Sequence, residues 1–111
     1  MNFLATLTDS GVFLNKLINA NSWSSCLAYC EGTGFDINNI TLLSSNNVTV
    51  VLNNASSENC FNVLLTSNET NANSNYIVFD TDFESLQTWL NAQTGKTVVS
   101  VQTNKKSYVT V

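Results

Sequence analysis

The sequence predicts an α+β fold built as a tandem duplication of a ββαββ unit, antiparallel sheets each with one helix on one face. Three observations carry that expectation. Apolar residues alternate in short runs of strand length. Two amphipathic stretches open on capping residues and end near glycine. The whole order of runs then occurs twice, over residues 2–53 and 60–111.

In the first unit, Phe3, Ala5 and Leu7 alternate with Leu4, Thr6 and Thr8, the period of a half-buried strand. Asp9-Ser10-Gly11 is turn chemistry, and Val12–Ile18 returns as a second strand. Asn21 or Ser22 can cap the helix that follows, whose apolar face is Trp23, Cys26, Leu27 and Cys30. Gly32 and Gly34 stop it. Ile40–Ser44 and Val48–Leu52 read as strands around an Asn46-Asn47 hairpin turn.

A polar connector, Asn53 to Asn59, leads to the second unit, where Phe61, Val63 and Leu65 alternate as Phe3, Ala5 and Leu7 do. A long polar loop follows, and then a strand at Tyr76-Ile77-Val78-Phe79. Thr81-Asp82-Phe83-Glu84 has the form of a capping box. Phe83, Leu86 and Leu90, with Trp89 beside them, share one helical face, and Gly95 is placed to end the helix. Val98–Gln102 and Lys106–Val111 complete the pattern as a hairpin around Asn104-Lys105. Each unit is marginal for folding alone, so one shared core is expected. Several strands carry neighbouring apolar residues, such as Val50-Val51 and Val98-Val99. Their second face should pack on the sister unit or on another chain. The alternative partition takes residues 12–102 as a ferredoxin-like βαββαβ fold with extra strands at the ends.

Composition narrows function by exclusion. Charged residues are 11%, net charge is −4, and histidine is absent. Polarity rests instead on 18 Asn, 13 Ser and 13 Thr, either as an adhesive surface or as the codon bias of an AT-rich genome. So weakly charged a surface opposes association little. Lysine is the only cation, at Lys16, Lys96, Lys105 and Lys106, and forms no basic stripe, so nucleic acid is not an expected partner. No stretch has the length of a membrane span, and Met1 to Ala5 does not read as a signal peptide, so no membrane partner is expected. Three cysteines, Cys26, Cys30 and Cys60, cannot all pair within one chain. Reduced thiols and synthesis in a reducing cytosol are expected, with incorporation into a virion compatible with that.

Candidate chemistry is thin. Asp80, Asp82 and Glu84 could offer carboxylates to a hard cation, but the remaining ligands of a calcium loop are missing and a helix first turn explains the acids better. The cysteines lack a histidine or a Cys-x₂-Cys pair, and Cys26 and Cys30 stand where the second unit has Leu86 and Leu90, so they read as small core residues. Gly32-Thr33-Gly34 follows a helix, whereas a phosphate loop precedes one. Nucleophilic catalysis lacks its usual base. No catalytic residue, metal ligand, cofactor or small-molecule substrate is assigned. The interaction candidate is the polar loop that distinguishes the second unit from the first: Ser67, Asn68, Glu69, Thr70, Asn71, Ala72, Asn73, Ser74 and Asn75. The expected function is a non-enzymatic structural or accessory subunit of a larger symmetric assembly, of the kind a minor virion or capsid-associated protein is, with protein partners or self-association. The alternative is a small cytosolic binding or inhibitory module, acting on a host factor or a small ligand.

Overall fold

The computed structural model describes residues 1–43 and 47–111. Among them run β1 (Asn2–Asp9), β2 (Val12–Asn19), α1 (Trp23–Gly32), β3 (Asp36–Leu42), β4 (Val48–Leu52), β5 (Asn59–Ser67), β6 (Asn73–Phe79), α2 (Phe83–Asn91), β7 (Lys96–Lys105) and β8 (Ser107–Thr110). The fold is α+β, with two four-stranded sheets in the orders β3-β1-β2-β8 and β4-β6-β5-β7. One sheet of ferredoxin-like order is not formed. Two compact units result, residues 1–46 with 106–111, and residues 47–105.

In the first unit β1 and β2 form a hairpin whose turn holds Ser10 (φ 52°) and Gly11 (φ 85°) in the left-handed region. β3 runs antiparallel on the other side of β1, with Asn38 as an extra residue where the register shifts between Thr6 and Leu7. Phe3, Ala5, Leu7, Ile18, Ala20, Cys26 and Cys30 form the core between sheet and α1. Ser22 caps α1, its hydroxyl accepting from the Ser25 amide at 3.1 Å. Trp23, placed on the apolar face by its spacing, remains half exposed and meets the Phe3 ring edge-on at 5.6 Å.

The second unit holds β4, β5, β6, α2 and β7. β5 and β6 pair antiparallel, β7 runs antiparallel on the other side of β5, and Val99 is extra where the register shifts between Leu64 and Leu65. Phe61, Val63, Leu65, Val78, Leu86 and Leu90 make the core under α2. Phe83 stays exposed and meets Phe61 edge-on at 6.3 Å.

Three sequence expectations are corrected. The Thr81–Glu84 capping box does not form. Asp82 is the N-cap, and its carboxylate accepts from the Ser85 amide at 2.8 Å. A carboxylate is the stronger acceptor at a positive helix end, and Thr81 is engaged elsewhere. Gly95 (φ 74°) does not end α2, whose C-cap is Ala92; it turns the chain into β7. Nor do the last two strands of each expected unit fold back as hairpins. β4 lies parallel to β6, with Val50 opposite Ile77, and β8 lies parallel to β2, with Leu17 opposite Tyr108. Each therefore completes the sheet of the other half. The turn expected at Asn46-Asn47 falls partly outside the described residues. Asn104-Lys105 is the end of β7, and Lys106 alone separates β7 from β8.

Candidate interaction surface

The polar stretch Ser67 to Asn75 is only in part a loop. Ser67 ends β5 and Asn73, Ser74 and Asn75 open β6, leaving Asn68, Glu69, Thr70, Asn71 and Ala72 as the connection. That connection is internally bonded. The Ser67 amide donates to the Ala72 carbonyl at 2.9 Å and the Asn71 amide to the Ser67 carbonyl at 2.9 Å. The Ser67 hydroxyl accepts from the amides of Glu69 and Thr70, and Asn71 takes φ 60° to close the turn. Asn68 ties it to the start of β7, since its amide donates to the Gly95 carbonyl at 3.0 Å and its side chain accepts from the Thr97 hydroxyl at 2.5 Å. So much self-satisfied hydrogen bonding makes a built corner of the polar stretch, in which residues 68–72 are exposed.

β7 begins at that corner. Lys96 donates to the Tyr76 hydroxyl at 2.9 Å and lies 5.5 Å from the Tyr76 ring centre, and that ring in turn meets Trp89 edge-on at 5.3 Å. Past Lys96 the strand runs to Lys105 as a sheet edge, and every residue in it except Val101 is exposed. Val98 is 44% and Val99 54% exposed. Val98 stands beside buried Leu65, so it lies on the core face of the sheet but outside the buried cluster. Val99 is the bulged residue of β7, whereas Asn38, the bulged residue of β3, donates to Thr8. A ten-residue open edge bearing two adjacent exposed valines and a lysine at each end is the most adhesive feature of this unit. The sequence singles out Val98-Val99 as apolar neighbours needing a partner but does not show the open edge, because the expected hairpin with residues 106–111 would have covered it. The available signal was the Lys-Thr-Val-Val run itself, which has no polar alternation.

Two clefts lie in the same unit. One, of about 420 Å³, is lined by Asn53, Asp80, Ser85, Thr88, Trp89 and Ala92. The other, of about 240 Å³, lies among Asn59, Cys60, Phe61, Asp82 and Phe83 with Thr81, Thr103 and Asn104. Their acids are structurally committed. Asp80, 5% exposed, accepts from the Asn53 side chain at 3.0 Å and the Thr81 amide at 2.8 Å, while its carbonyl takes the Ser57 hydroxyl at 2.8 Å. Asn54 and Asn59 reach Thr81 through side-chain bonds of 3.2 and 2.9 Å. The connector Asn53 to Asn59 is therefore a polar knot that fastens β4 and β5 to the start of α2. The Asp80, Asp82 and Glu84 string is dispersed: Asp80 holds the knot and Asp82 caps the helix. Among the described residues, no group of three His, Cys, Asp or Glu side chains is placed to hold a metal ion.

Cys26, Cys30 and Cys60 are all buried. Burial pushes the Cys26 thiol up to about 11, with Cys30 beside it adding to the rise. Cys30 is raised too, by burial, against partial opposition from its bond to Cys26 and from the Lys16 charge. Such thiols are poor nucleophiles and poor ligands. No helix among the described residues is long and apolar enough to cross a membrane. Comparison with family models, with curated proteins and with solved structures finds no match.

Proposed function

We propose that this chain is a non-enzymatic structural or accessory subunit of a larger symmetric assembly, in the manner of a minor virion or capsid-associated protein, and that it joins protein partners or further copies through strand edges. The observation that carries the reading is β7, an open edge whose valines are left uncovered. Sheet edges of this length in proteins that live alone are shortened, covered or interrupted by charge. The lysines here stand only at the two ends of the strand. The 67–75 corner, held to the start of β7 through Asn68, is the secondary contact.

The same reading includes a duplicated ββαββ ancestry with the fourth strands exchanged. Its support is positional. Bulges fall at Asn38 and Val99, an aromatic at the first helical position sits edge-on to Phe3 in one unit and Phe61 in the other, and Cys26 and Cys30 occupy the places of Leu86 and Leu90. A non-catalytic role is supported by the absence of histidine and by the commitment of the Asp80 and Asp82 carboxylates to a turn and a helix cap.

The test is the mass of the natively purified protein together with a Val99→Lys variant. Val99 is exposed, so the substitution should leave thermal stability within about 0.5 kcal/mol while weakening association at least tenfold. A chain that purifies as a lone monomer, with Val99→Lys changing nothing, favours the cytosolic binding module instead, with the Asp80–Trp89 cleft as its site.

A further inference from the structure

We propose that β8 docks on β2 between copies of this chain as well as within one, so that neighbouring subunits are joined by exchange of residues 107–111. The proposal rests on the assembly reading and names a second joining surface, distinct from β7.

The occupant is identified by what already fills the place. β8 pairs with β2 in a fixed register, with Lys16 opposite Ser107, Leu17 opposite Tyr108, Ile18 opposite Val109 and Asn19 opposite Thr110. Side chains reinforce that register. Lys16 donates to the Ser107 hydroxyl at 3.3 Å, the Asn19 amide group to the Tyr108 hydroxyl at 3.1 Å, and the Val111 amide to the Asn19 carbonyl at 2.9 Å. A second copy carries the same segment, and every one of these bonds can form with it.

Three features favour the exchange. β8 is only four residues long and lies at a sheet edge, with Ser107, Tyr108 and Val109 half-buried and Thr110 exposed, so it belongs to the part of the fold that opens first. The connector is one residue, Lys106, between strands that belong to different sheets. So short a hinge cannot slacken, and short hinges favour swapping. Finally, release of β8 leaves β2 with an unpaired edge, a template that accepts a strand of this sequence from any source. Exchange makes no new kind of contact, so concentration decides between the two states. A tethered strand competes at an effective concentration in the millimolar range. Exchange therefore becomes competitive where copies are packed side by side, as in an assembly, and is rare in dilute solution.

The experiment mixes a Lys16→Cys chain with a Ser107→Cys chain at about millimolar concentration, under mild denaturant that lets the edge open. Copper–phenanthroline is then added as oxidant, and the products are separated without reducing agent. The expected result is a covalent heterodimer carrying one of each variant, at least tenfold more abundant than cross-linked dimer from either variant alone. Its absence overturns the proposal. As a check on the unmodified chain, an excess of a peptide spanning residues 104–111 should dissolve the larger species that form at the same concentration. Larger species that persist, together with no mixed cross-link, mean that copies join elsewhere: exchange fails and the assembly reading stands. A mixed cross-link from a protein that is found in its source as a lone monomer has the reverse meaning.

Discussion

Asp82 shows how one side chain sets both a boundary and a pH response. Hydrogen bonds from the Ser85 amide, then from its side chain, hold the Asp82 carboxyl below its usual value. A carboxylate whose pKa is depressed on folding stabilises the fold above its unfolded value near 3.8 and loses that contribution as pH falls through the lower, folded value. Asp82→Asn still caps the helix but cannot titrate. Its melting temperature should lie slightly below that of the parent near neutral pH, where the ionised carboxylate contributes, and fall less steeply below pH of about 4, as followed by thermal denaturation in a pH series. Equal slopes would mean that another carboxylate governs the acid limb. The motif was half legible in sequence: a cap at this place was evident, but Thr81 and Asp82 both qualify. The Asn54 side chain, which bonds the Thr81 hydroxyl and so draws it away from the cap, stands 27 residues earlier in the chain.

The helices and strands themselves were legible because alternation and helical spacing are local. The β1–β2 turn and most of the two helical faces follow from residues a few positions apart, Trp23 and Phe83 being the exposed exceptions, while the burial of Cys26 and Cys30 follows from their standing where the second half has Leu86 and Leu90. Strand partners were not legible in the same way. Asn104-Lys105 has turn-forming character, and nothing within ten residues says that β8 will lie parallel to β2, almost the full length of the chain away. The open edge of β7 was hidden by the same non-local choice. A local element invites a local test. α1 has no acid in its first turn, so Ser22 is its principal N-terminal support. Ser22→Ala should cost about 1 kcal/mol, read as a drop of a few degrees in Tm, with helix content of the native state unchanged. A shift near zero would show that packing of Cys26 and Cys30 alone sets where α1 begins.

At the scale of the whole molecule, charge is too sparse to direct encounters. Eight carboxylates and four lysines are the entire supply, and two of the lysines donate to neighbours in the same unit, Lys16 to Ser107 and Lys96 to Tyr76. Association through exposed valines, backbone edges and amide side chains should be nearly insensitive to ionic strength and should carry a negative heat-capacity change. Calorimetric titration with the native partner, or dilution of the self-associated protein, across low to high salt checks both. A steep loss of affinity with salt would place the contact at a charged surface and count against β7.

The dependence of the first sheet on β8 also has a consequence for synthesis. A ribosome adding roughly 5–20 residues per second makes β2 on the order of ten seconds before β8. During that interval β2 has been made and the strand that fills its outer edge has not. A ribosome ahead on the same messenger has by then made an identical β8. The order of translation thus offers the trailing chain's β2 a neighbour's β8 before its own has been made.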